Sequence, residues 1–263
     1  MKKSIGLFLG FAIILAGCQP SERQSRRSET ITVAVAANVQ FAMEELESAF
    51  EAESGIAVET TISSSGKLTA QIQQGAPYDL LVSADMKYPT ALVESGKAVL
   101  PVRAYGFGAL VLWTQNELEL EENPAFLLQD KIRKIAIANP RNAPYGEQAM
   151  HYFEHYGIAE QVASKLVYGE SIAQTNQYIL SHAADLGLTA KSVVLSPEMK
   201  GTGKWLEIPA QSYEPIAQGV VITSYGQKVH PEASRRFFEF LFSPKARVIL
   251  EKYGYELPKV TIG

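Results

Sequence analysis

A chain of 263 residues with 46% hydrophobic and 20% charged residues can pack one large domain or two ordinary ones, which excludes a disordered chain. Its formal net charge of −4 excludes the basic whole-chain field on which nucleic-acid binding relies.

Lys2 and Lys3 precede an apolar run at residues 5–15. The run is shorter than the roughly 20 residues of a membrane-spanning helix and fits a secretory signal. Leu15-Ala16-Gly17-Cys18 then reads as a lipoprotein processing site, with Cys18 the acylated residue. Removing residues 1–17 takes away two lysines and no acid, so the charge moves from −4 to −6. Cys18 is the only cysteine, so the exported domain has no disulfide. Residues 18–30 are polar and read as a lipidated tether.

Residues 31–36 (ITVAVA) are apolar throughout, the pattern of a strand covered on both faces of a parallel sheet. An amphipathic helix is predicted over 39–50, a strand over 58–62 and a helix over 68–74. A buried strand at 80–82 and a helix at 88–95 complete a β-α-β-α-β-α run, hence a doubly wound α/β lobe. Residues 105–114 (YGFGALVLWT) are long for one strand and read as a first crossing between lobes, with Gly106 and Gly108 near the hinge. A short helix at 124–128 and a strand at 135–138 open the second lobe. Helices are predicted over 146–156, 159–166 and 171–182, the last entered from residues 167–168, and strands over 186–188 and 205–208. Residues 218–223 (QGVVIT) read as the return crossing, followed by helices at 232–241 and 245–253. The predicted fold is a two-lobed α/β binding protein with mixed, mostly parallel sheets and two crossover strands as hinge. Residues 31–108 plus 220–263 form one lobe and 109–219 the other.

Asn38, Ser64-Ser65-Gly66 and Pro144-Tyr145-Gly146 each stand where an apolar run stops and a helical pattern begins. A helix start leaves unpaired backbone N–H groups at the positive end of its dipole, so it can hold an anion without a charged side chain. Several such starts converging on one oxyanion would make a binding cleft. Lys67 reads as a solvated helix lysine rather than a counter-charge.

Three other patterns are set aside. His151-Tyr152-Phe153-Glu154-His155 matches the H-x-x-E-H zinc pattern, but His182 and His230 are the only other histidines and no acidic third-ligand motif follows. Residues 201–204 (GTGK) lack the spacing of a phosphate-binding loop. Ser181, His182 and Asp185 fall within one helical stretch, which does not give a nucleophile–base–orienter geometry.

ITVAVAANVQFAMEEL, SSSGKLTAQIQQGAPYDLLVSAD, IANPRNAPYG and SPKARVILEKYGYELP together resemble the molybdate-binding proteins of ABC importers, in the periplasmic binding protein superfamily. The resemblance implies a non-catalytic receptor that closes on molybdate, and also tungstate, and delivers it to a permease with a separate ATPase. It further implies a monomer without cofactor, exported and lipid-anchored, facing the periplasm or cell exterior. By position it implies oxyanion contacts at Asn38, Ser65 with Ser64 beside it, the Tyr145 N–H and the Ile172 N–H. Ala37 and Ala190 stand where some members carry a hydroxyl residue and a tyrosine, so the chain resembles the subgroup that lacks that tyrosine. A receptor for another oxyanion such as sulfate, or an exported zinc hydrolase on His151 and His155, are the alternatives.

Overall fold

The computed structural model describes residues 29–258, so the leader, Cys18 and the tether up to residue 28 lie outside the described residues. The chain begins with β1 (Thr30–Ala36), α1 (Gln40–Ser54), β2 (Ala57–Ser63), α2 (Ser65–Gln73), β3 (Leu80–Val82), α3 (Lys87–Glu94) and β4 (Ala98–Gly108). It continues with β5 (Leu110–Thr114), a 3₁₀ turn (Pro124–Leu128), β6 (Ile135–Ala138), α4 (Pro144–His155) and α5 (Ala159–Val162). Then come β7 (Leu166–Gly169), α6 (Ile172–Leu180), β8 (Leu186–Ala190), α7 (Lys191–Val194) and β9 (Lys204–Glu207). β10 (Ile216–Thr223), α8 (Ser224–Val229), α9 (Pro231–Phe240) and α10 (Pro244–Lys252) finish the fold.

The strands form two five-stranded mixed sheets, β2-β1-β3-β10-β4 and β7-β6-β8-β5-β9. β1 runs parallel to β2 and β3, and β6 parallel to β7 and β8. β10 is antiparallel to β3 and β4, and β5 to β8 and β9. The apolar runs behave as their composition requires: β3 and β6 are buried at every residue. Helices cover both faces of the first sheet. Phe50 of α1 meets Phe237 of α9 edge-on at 5.1 Å on one face. Leu68, Ile72 and Leu92 from α2 and α3 fill the other. The second sheet has its own core around Trp113, Phe126, Tyr152 and Phe153. Each such buried aromatic or aliphatic side chain contributes roughly 1.5–3 kcal/mol.

Several elements differ from expectation, among them α7 and α8, which the pattern did not mark. Residues 105–114 are not one crossing strand: β4 ends at Gly108 in the first sheet, Ala109 intervenes, and β5 starts in the second. The return strand starts at Ile216 and pairs only with β3 and β4. The helix predicted over 159–166 ends at Val162, passes through a 3₁₀ turn and becomes strand β7, paired with β6. The start of β4 escapes the sequence pattern because Pro101 interrupts it; β4 is an edge strand, where proline costs no ladder bond on its open side.

Candidate functional site

In open α/β sheets, ligands bind beyond the carboxyl ends of the strands. Here those ends in the two sheets face one another. From the first sheet come the turn 37–39 after β1, Ser64 after β2 and Ala84 after β3. From the second come residues 139–142 after β6, Glu170 after β7 and Lys191-Ser192 after β8. The Gly66 N–H donates to the Asn142 carbonyl at 2.9 Å. Ser192 Oγ donates to the Asn38 carbonyl at 2.6 Å. Gln218 Nε2 donates to the Tyr145 hydroxyl at 3.0 Å. Lys67 Nζ lies 2.6 Å from Glu170 Oε2. Each of these contacts joins one sheet's elements to the other's, so the cleft is shut.

The five residues singled out from sequence lie at this junction and are buried, at 1–4% exposure. Ser65 is the first residue of α2, and its Oγ accepts from the Ala84 N–H at 3.0 Å. That bond uses an oxygen lone pair and leaves the Ser65 hydrogen to be donated elsewhere. Ser64 precedes the helix with extended backbone, and its hydroxyl, buried, has no partner. Ile172 opens α6 behind Ser171, whose hydroxyl caps Gln174 N–H, so the Ile172 amide has no acceptor within the helix. Tyr145 follows Pro144 in the first turn of α4, which likewise leaves its amide outside the helical ladder. The Lys67–Glu170 pair brings the starts of α2 and α6 together, since it sits two residues beyond Ser65 and two before Ile172. It also gives Lys67 a carboxylate partner at the rim, with both side chains about half exposed.

Asn38 behaves differently from a helix cap. The cap position of α1 is Val39, and the Asn38 side chain makes no capping bond. Its Nδ2 donates instead to Gln218 Oε1 at 2.7 Å and to the Tyr255 hydroxyl at 3.3 Å. Both amide hydrogens are thereby engaged, and the donor left for a ligand is the main-chain N–H. Sequence reasoning missed this network: Gln218, Tyr105, Tyr255 and Ser192. The one signal for Gln218 is a lone amide inside the apolar run IAQGVVIT; Tyr105 and Tyr255 give none. Ser192 lies two residues beyond Ala190, the position without a tyrosine, and binds the Asn38 carbonyl.

Burial pushes the hydroxyls of Tyr105, Tyr145 and Tyr255 above the ordinary phenol range, so all three stay neutral and none repels an anion. The five residues carry no side-chain charge, and the N-termini of α2, α4 and α6 turn their positive dipole ends to the same place. The motifs set aside are occupied elsewhere. His151 Nδ1 meets Gln148 Oε1 at 3.0 Å, and the His155 ring packs on Tyr156. His182 Nδ1 meets Asn116, while Asp185 Oδ2 accepts from the Arg133 and Lys134 amides.

Two α/β lobes closed on a buried set of amide and hydroxyl donors define a receptor for a small solute, not a site of bond-making chemistry. The family model described as bacterial extracellular solute-binding protein matches residues 31–256. The molybdate-binding protein ModA of Azotobacter vinelandii is 35% identical over 250 residues, 95% of each chain. The solved Azotobacter vinelandii periplasmic molybdate-binding protein superposes with a TM-score of 0.82 at 33% identity, covering 87% of this chain and all of that one. The sulfate-binding protein SubI of Mycobacterium tuberculosis reaches 0.74 at 15% identity over 88% of each chain, a likeness of fold alone. The chain belongs to the bacterial extracellular solute-binding protein family and, within it, with the ModA molybdate-binding proteins.

Proposed function

We propose that this protein captures molybdate, and tungstate with it, in the closed cleft and hands it to the permease of an ABC importer. The observation that carries the reading is the pair Ser64-Ser65. One hydroxyl is buried without a partner, and the other has its hydrogen released by accepting from Ala84. A buried polar group is normally satisfied, so a missing acceptor belongs there. A tetrahedral dianion supplies four oxygens that only accept. Ser64 and Ser65 donate O–H groups, and Asn38, Tyr145 and Ile172 donate main-chain N–H groups. Charge-assisted bonds contribute roughly 1.5–3 kcal/mol each, so these five supply about 7.5–15 kcal/mol against association costs of ~4–15 kcal/mol. A site of donors alone also rejects a protonated oxyanion, whose O–H would face another donor. Sulfate has the same charge and shape, so cavity size must exclude it.

In the same reading Cys18 carries the lipid anchor, the chain between it and β1 holds the domain off the membrane, and the closed form is what the permease receives. That tether is one residue shorter than the expected 18–30, because Thr30 already pairs with β2. Calorimetric titration with molybdate, tungstate, sulfate and phosphate tests the ligand. Binding of the first two with neither of the others is expected; a preference for sulfate would overturn the assignment. Mass spectrometry of the exported protein tests the anchor, expecting a diacylglyceryl mass on Cys18 that a Cys18→Ser chain lacks.

A further inference from the structure

We propose that Gln218 is a positioning residue that ties the two halves of the cleft together in the closed state and slows ligand release. The inference rests on the molybdate reading above.

Gln218 is 0% exposed on β10, in the first sheet. An amide in that place is costly unless its oxygen and nitrogen both find partners. Its Oε1 accepts from Asn38 Nδ2 and from the Tyr105 hydroxyl, both at 2.7 Å. Its Nε2 donates to the Tyr145 hydroxyl at 3.0 Å. Asn38 and Tyr105 belong to the first sheet's side, and Tyr145 opens α4 on the second.

The bonds continue into the neighbouring groups. The Tyr255 hydroxyl donates to the Asn38 carbonyl at 3.3 Å, so its oxygen receives Asn38 Nδ2. Gln218 Oε1 faces Asn38 Nδ2 and the Tyr105 hydroxyl, which also lies 3.2 Å from the Ser83 carbonyl, and Gln218 Nε2 faces Tyr145. The Gln218–Tyr145 bond passes over Gly108, where the chain leaves the first sheet. A Cβ there would lie 2.0 Å from the Tyr145 hydroxyl and 2.3 Å from Gln218 Nε2. The hinge strand thus leaves open the gap through which the two lobes touch. When the lobes part, Gln218 stays with β10 and Tyr145 departs with α4. The bond belongs to the closed form, and through Asn38 it holds the turn that offers a main-chain donor to the ligand.

The test is stopped-flow release of molybdate, beside calorimetric affinity, for wild type, Gln218→Leu, Tyr145→Phe and the double variant. Tyr145→Phe keeps the amide and the ring and removes only the accepting oxygen. One lost bond predicts roughly tenfold weaker binding in Tyr145→Phe, and Gln218→Leu, which loses three, is expected to weaken binding at least as much. The loss is expected in the release rate, association staying within about twofold, and the double variant is expected no weaker than the weaker single. Gln218→Glu adds a pH readout. A buried carboxyl stays protonated at low pH and donates to Tyr145; as pH rises it can only accept, and it sets a buried negative charge beside the cleft. Its affinity is expected to fall with rising pH while that of wild type stays level. Wild-type release rates in Tyr145→Phe, or additive effects in the double variant, would overturn the role of Gln218 even if Gln218→Leu fails to fold. A wild-type protein that binds none of the oxyanions would overturn the functional reading, and this inference with it.

Discussion

On the proposed reading, the two lobes offer the ligand donors of different kinds. The first lobe would present side-chain hydroxyls, Ser64 and Ser65, at the start of α2, beside the single main-chain amide of Asn38. The second presents main-chain amides at the starts of α4 and α6, on residues whose side chains are buried in its own core. A hydroxyl is removed by one substitution, whereas an amide survives any substitution that leaves the backbone in place. The donors of the α2 start should therefore be sensitive to side-chain changes and those of the second lobe to backbone displacement, the Tyr145 hydroxyl held by Gln218 being a separate, side-chain tie.

The comparison is broken hardest at Gly146. A Cβ there would lie 2.1 Å from the Ala138 carbonyl, so Gly146→Ala must push the start of α4 off β6. Misplacing several donors at once is expected to weaken molybdate binding by about a hundredfold or more, with a lower Tm, by calorimetry and thermal melts. Ser65→Ala removes a donor to a buried dianion and leaves the Ala84 N–H unpaired. At least about a tenfold loss of affinity is expected, with a cooperative fold retained in circular dichroism. Ser64→Ala, whose hydroxyl has no other partner to abandon, should cost about tenfold without leaving a protein group unpaired. Ile172→Val keeps the amide and should change affinity by less than about twofold; a larger loss would move the role from the backbone amide to the side chain.

Glu47 on α1 sharpens the contrast from outside the cleft. Burial pushes its carboxyl from 4.5 up to about 7, with the charges of Glu51 and Glu44 adding to the rise and a hydrogen bond from Thr60 opposing it. A folded-state pKa above the unfolded one means that ionising the group costs stability as pH climbs from 4.5 through about 7. Glu47→Gln should leave Tm unchanged below pH 4.5 and raise it most above pH 7, with molybdate affinity unaltered throughout.

The parallel strands β1, β3, β6 and β8 were legible because burial on both faces demands continuous apolar runs. The helix starts at Ser65 and Ile172 were legible because hydroxyls and apolar periodicity change over there. β7 was not: four residues carry too little pattern, and Val167-Tyr168 continue an apolar stretch that suits a helix equally well. Neither was the break at Ala109, since both halves of residues 105–114 are strand and only the sheets they join differ. The Asn38–Gln218 bond spans 180 residues of sequence. No local pattern encodes such a pairing, so the sequence marks Asn38 as a contact without revealing that its side chain is spent on Gln218 and Tyr255.

The placement of β10 between β3 and β4 also bears on the order in which the molecule assembles. Everything from β5 to β9 is synthesised before β10, so the second lobe is complete while the first still lacks its fourth strand. Until residues 216–223 arrive, β3 presents a bare edge and β4 has no neighbour in the first sheet. Such long-range closure is slow and leaves strand edges open to other chains. The inner lobe is therefore a natural early folding unit, and a chain truncated before residue 216 should yield that unit beside an unfinished, aggregation-prone remnant.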